Sequence, residues 1–152
     1  PDAQYAARLA ASIRATTVMV SPITAALATR WIRDGTADVA LAAIRKECAV
    51  RQKIAARALP PGSYASHPDA FHLWIPLPAP WTRAEFVRHM ESSGIGVVPS
   101  DSFSVSAQPP EAVRICIGGT ASRDDLQHSL EQIARGLRSA PANALVGAPA
   151  VV

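Results

Sequence analysis

Arg114 is the residue whose setting comes nearest to demanding chemistry. It lies within Val113-Arg114-Ile115-Cys116-Ile117, where apolar and other residues alternate. Period-two geometry puts Val113, Ile115 and Ile117 on one face of a strand and Arg114 with Cys116 on the other. A guanidinium in the middle of an apolar strand needs an anionic partner, because burying its charge unpaired is costly. One of the chain's own carboxylates would make a structural salt bridge. A ligand carboxylate would be gripped by two parallel hydrogen bonds from the planar fork. The residues leave both open.

The other candidates point to structure. His67, His72, His89 and His128 show no H-x-x-x-H or comparable ligand spacing, so no metal site is expected. Gly118-Gly119-Thr120 precedes a helix and could cradle a phosphate, but neither G-x-G-x-x-G nor a Walker pattern surrounds it, which favours a structural turn. Ser100, Ser102, Ser104 and Ser106 alternate without a G-x-S-x-G nucleophile elbow. Cys48 and Cys116 are too few for a disulfide framework and too far apart for a zinc site; they read as buried free thiols in a reducing cytoplasm. No catalytic residue is expected in the chain.

The 152 residues make one ordinary domain, 49% hydrophobic and 18% charged. That excludes an intrinsically disordered chain. The net charge of +3 is small and unclustered, unlike the basic stripe of a nucleic-acid binder. No apolar run approaches a membrane span, and no signal peptide is expected. The opening at Pro1, without Met, followed at once by a helix, reads as a piece of a longer protein.

The elements that must position these residues read in order. Asp2 caps a helix to about Thr16 with a Tyr5, Leu9, Ile13 stripe. Ser21-Pro22 opens a second, carrying Ile23, Leu27 and Trp31, which stops at Asp34-Gly35. Thr36 caps a long helix to about Leu59. Its charged and polar residues, Arg45, Lys46, Glu47, Arg51, Gln52, Lys53 and Arg57, read as a solvated face. Pro60-Pro61-Gly62 ends it. Phe71–Leu77 reads as an edge strand, with a turn over 78–81. Thr82-Arg83-Ala84-Glu85 is a capping box for a helix bearing Phe86, Val87 and Met90. Gly94 stops that helix before a strand over 95–99. Residues 100–106 read as a loop, 113–117 as the clearest strand, and Ser122 opens a last amphipathic helix with Leu126, Leu130, Ile133 and Leu137. Residues from Ser139 on read as a disordered tail. The order fits an α+β layer: a long helix feeding a small, mostly antiparallel sheet with helices packed on one face.

Several of these words, in this order and spacing, resemble the C-terminal part of fold-type-I aminotransferases that depend on pyridoxal 5'-phosphate. They are Ser21-Pro22-Ile23, Trp31–Asp38, Ile44–Glu47, Arg51-Gln52, His72–Pro78, Gly94–Pro99, Phe103 and Val113–Gly118. The likeness covers residues 1 to about 138 and is nearest to the aminotransferase-like domain of MocR-type regulators of the GntR superfamily. It implies an aminotransferase small domain over 36–138, with residues 1–35 from the large-to-small domain junction. It implies that Arg114 binds the carboxylate of an amino-acid-like effector or substrate. It implies a cytoplasmic, homodimeric parent that holds pyridoxal phosphate and reads DNA through an N-terminal winged helix. The Schiff-base lysine segment and the phosphate and ring contacts of such a domain have no counterpart here. The lysines present, Lys46 and Lys53, fall on the charged face of the long helix. No cofactor is therefore expected on this chain. The alternative parent is a genuine aminotransferase, moving an amino group from an amino acid to a 2-oxo acid.

Overall fold

The computed structural model describes residues 2–119 and 121–139. Helix starts follow the local chemistry closely. The Asp2 carboxylate accepts a 3.0 Å hydrogen bond from the Gln4 amide and starts α1, Ala3–Thr16. Pro22 opens α2, Pro22–Arg33, with Ser21 at the N-cap but no side-chain bond from it. Gly35 takes φ +82, as a left-handed stop requires. The cap of α3, Thr36–Ala58, differs from expectation. Thr36 is already helical, and it is the Asp34 carboxylate that accepts from its amide, at 3.0 Å.

The chain divides into two compact units between Ala43 and Ile44, inside α3. In the first unit no residue of α1 or α2 is buried. The stripe of Tyr5, Leu9 and Ile13 is 64%, 57% and 53% exposed.

The second unit carries the sheet. Strand β1, His72–Pro76, and β2, Val98–Pro99, both pair antiparallel with a central β3, Ala112–Cys116, giving the order β1-β3-β2. The expected strand over 95–99 shrinks to two residues. The segment after it, expected as loop, forms a 3-10 turn over Ser100–Phe103. Pairs Leu73↔Ile115 and Ile75↔Val113 put four apolar side chains on one face. They join Phe86 and Met90 of α4, Arg83–Ser92, and Leu126, Leu130 and Ile133 of α5, Arg123–Arg138, in one buried core with Ala55 of α3 and Leu59 just beyond it. The unit is α+β with its helices gathered on that face, as the periodicity predicts.

Both capping boxes close. Thr82 and Glu85 exchange side-chain and backbone bonds at the start of α4, and Ser122 and Asp125 do the same for α5. Gly94 at φ +74 ends α4, while the Ile95 amide reaches back to the Met90 carbonyl at 3.0 Å. Trp81, expected in a turn, is a core residue 4% exposed, and its indole N–H donates to the Ser139 carbonyl at 2.7 Å.

The charged side of α3 is only partly solvated, which corrects the sequence reading. The Arg51 side chain is 11% exposed. It donates to Glu47 at 2.8 Å, to the Ile117 carbonyl at 2.8 Å and to the Ala121 carbonyl at 2.9 Å. Gln52 donates to Ser66 and to the Ala70 carbonyl, both at 2.7 Å. These side chains satisfy loop carbonyls around the sheet, a requirement that helix periodicity does not reveal. The tail expected from Ser139 lies, from residue 140 on, outside the described residues.

Candidate functional site

The site grows from the middle of β3. Val113 and Ile115 point into the core, so the intervening Arg114 projects from the opposite face. Trp74 faces it on β1 and Val98 on β2. The Trp74 amide and carbonyl are both spent on Ala65, at 2.9 and 2.8 Å. Trp74 and Arg114 therefore form a non-hydrogen-bonded pair, the kind whose side chains stand closest. Phe103, at the end of the 3-10 turn, lays its ring against the guanidinium, with Cζ 4.1 Å from the ring centroid. Its centroid is 6.4 Å from that of Trp74, the rings crossing at 67°.

Among the described residues Arg114 makes no ion pair. Its Nε is buried without a hydrogen-bond partner. His72 shares the face, opposite Cys116 in the register. Burial, and after it the positive charge of Arg114, pull the His72 imidazole below its ordinary value and favour the neutral ring. The site is thus a cationic fork in an aromatic and apolar frame. It can hold an anion.

The segment that delivers Phe103 is tied at its start. The Ser100 hydroxyl, 1% exposed, donates to the Pro110 carbonyl at 2.5 Å. Arg83, at the start of α4, pairs with Glu111 and lies 3.7 Å from the Asp101 carboxylate. In the sequence Phe103 is only an apolar residue within a polar loop. The alternation of β1, which sends Trp74 away from the core, is the one available signal for an aromatic frame.

The remaining candidates stay local. The Nδ1 of His67 accepts from the Asp69 amide at 3.2 Å, His89 leans on the Trp81 ring at 5.3 Å, and His128 meets the Gln132 side chain. Among the described residues no group of three or more His, Cys, Asp or Glu side chains could hold a metal ion. Ser104 and Ser106 each accept from a backbone amide two residues on. Gly118 packs against Phe71, and Arg51 binds the carbonyls of Ile117 and Ala121 on either side of the glycine pair. Thr120 lies outside the described residues. Both cysteines are free. Cys48 is buried as expected, whereas Cys116 is exposed because it shares the Arg114 face rather than the core face.

Lys46 and Lys53 stand exposed on α3, and Lys53 borders an open cleft shared with Gln52, Tyr64 and His67. Comparison with family models, with curated proteins and with solved structures found no match. No helix among the described residues is long and apolar enough to cross a membrane.

Proposed function

We propose that the chain is the small-domain part of a fold-type-I aminotransferase-like effector domain, of the kind carried by MocR-type regulators. In this reading Arg114 receives the carboxylate of an amino-acid-like ligand. One observation carries it: among the described residues no carboxylate pairs with Arg114, and the buried Nε is left without a partner. A half-buried guanidinium in that state is stabilised by an incoming carboxylate, which restores both charge balance and hydrogen bonds. The long α3 ahead of a small sheet, and the order and spacing of the sequence words, support the same reading. Cofactor contacts and DNA contacts would then belong to other segments of the parent. This chain contributes ligand recognition rather than a chemical step.

The test is a carboxylate titration followed on the Nε–Hε resonance of Arg114 in nitrogen-labelled protein. Sodium propionate should move that resonance saturably, while sodium chloride at equal ionic strength should not. Arg114→Lys, followed on the indole N–H resonance of its strand partner Trp74, should bind propionate more weakly than wild type followed the same way, because an ammonium cannot present two parallel donors. A resonance indifferent to propionate would return Arg114 to a structural role.

A further inference from the structure

The frame around Arg114 says what kind of carboxylate it suits. The Arg114 guanidinium carbon lies over the Phe103 ring, so the ring borders the place where the fork would receive a carboxylate. Such a cation–π contact also restrains the guanidinium. Phe103 is not consumed by the core: it remains 46% exposed. The 3-10 turn that carries it is held down through Ser100 and through Arg83. Its ring thus stays on the arginine, where a group attached to a bound carboxylate would arrive. Trp74 and Val98 flank the same place.

A second negative charge would be poorly received there. His72, the imidazole that registers Arg114's charge, is held toward its neutral form. Asp101, two residues before Phe103, is itself an acid already facing Arg83. We propose that Phe103 makes the Arg114 site selective for monocarboxylates bearing an aromatic or large apolar group, over small and over doubly charged ones. Phe103 does this as a positioning residue for the fork and as a contact surface for the ligand's side group. The inference rests on the reading of Arg114 as a carboxylate receptor.

Three probes separate the possibilities: 3-phenylpropionate, propionate and glutarate, each titrated on the Arg114 Nε–Hε resonance of the full chain. An aromatic contact of this sort should make phenylpropionate bind about five- to tenfold tighter than propionate. Glutarate should bind no tighter than propionate. Phe103→Ala should bring the ratio of the first two probes close to one, and Phe103→Tyr should keep it. Equal affinities in the wild type, or a ratio that survives Phe103→Ala, overturn the selectivity while leaving Arg114 a carboxylate receptor. If none of the three moves the resonance, the receptor reading fails and the selectivity with it.

Discussion

The Arg51 guanidinium donates a 2.8 Å hydrogen bond to the carbonyl of Ile117, across 66 positions of sequence. A second nitrogen reaches Ala121 at 2.9 Å, so one side chain of α3 ties down both ends of the turn that follows β3. Charge-assisted bonds of this type are worth about 1.5–3 kcal/mol each when a partner is removed from a partly buried place. Arg51→Ala should lower the stability of the second unit by about 2–4 kcal/mol. Arg51→Lys should recover only part of this. Urea unfolding checks it: the midpoint should fall with an unchanged slope. A midpoint equal to wild type would show that water replaces these bonds without loss.

Glu47 links the same arginine to Arg123, whose guanidinium lies 2.6 Å from it. Hydrogen bonds from Arg123 first, and from Arg51 second, hold the Glu47 carboxyl down to about 2. A carboxyl lowered by folding stabilises the native state above its unfolded value and loses that contribution as pH falls toward the folded one. The advantage of wild type over Glu47→Gln should therefore be full at neutral pH and shrink on acidification from the ordinary glutamate range toward pH 2. Paired urea midpoints across that window test the claim, and a gap that stays constant would refute it.

His72 should titrate below the ordinary imidazole value of 6.5, mainly through burial and secondarily through Arg114. Arg114→Gln should raise it part of the way and no further, since burial persists. Proton resonances of the ring give both midpoints directly. Its neutral form contributes stability above the unfolded value, and this is lost as pH drops through the folded one.

Gly118 leaves no room for a side chain. A Cβ there would sit 2.7 Å from the Phe71 Cβ and 3.2 Å from its Cγ. The Phe71 carbonyl is pinned by the Ile117 amide at 2.8 Å, so the ring's root cannot easily withdraw. Gly118→Ala should cost about 1–3 kcal/mol. The neighbouring Gly119→Ala, which meets nothing within 4 Å, serves as its control in thermal melts. Equal melting temperatures for the two variants would contradict the clash.

Backbone amides of α1 and α2 should exchange with solvent much faster than those of Leu130 and Ile133 in α5. Neither α1 nor α2 has a buried residue, whereas Leu130 and Ile133 are almost fully enclosed. Deuterium exchange read by NMR resolves the two sets. Comparable protection throughout would mean that the stripe of Tyr5, Leu9 and Ile13 is covered in solution.

Interactions that close within a few residues are legible in the amino-acid sequence alone. Asp2, the Thr82–Glu85 and Ser122–Asp125 boxes, and the stops at Gly35 and Gly94 all act within one turn of chain. So is the outward direction of Arg114, because alternation along a strand needs only the neighbours Val113 and Ile115. Interactions that close over tens of residues are not legible there. Helix spacing makes Arg51 look solvated, and only the return of β3 beside α3 puts the Ile117 carbonyl within its reach. Likewise, pattern alone does not choose between an internal salt bridge and an open fork at Arg114. That choice depends on where the acids of the chain come to rest and on the 3-10 turn that lays Phe103, rather than a carboxylate, against the guanidinium.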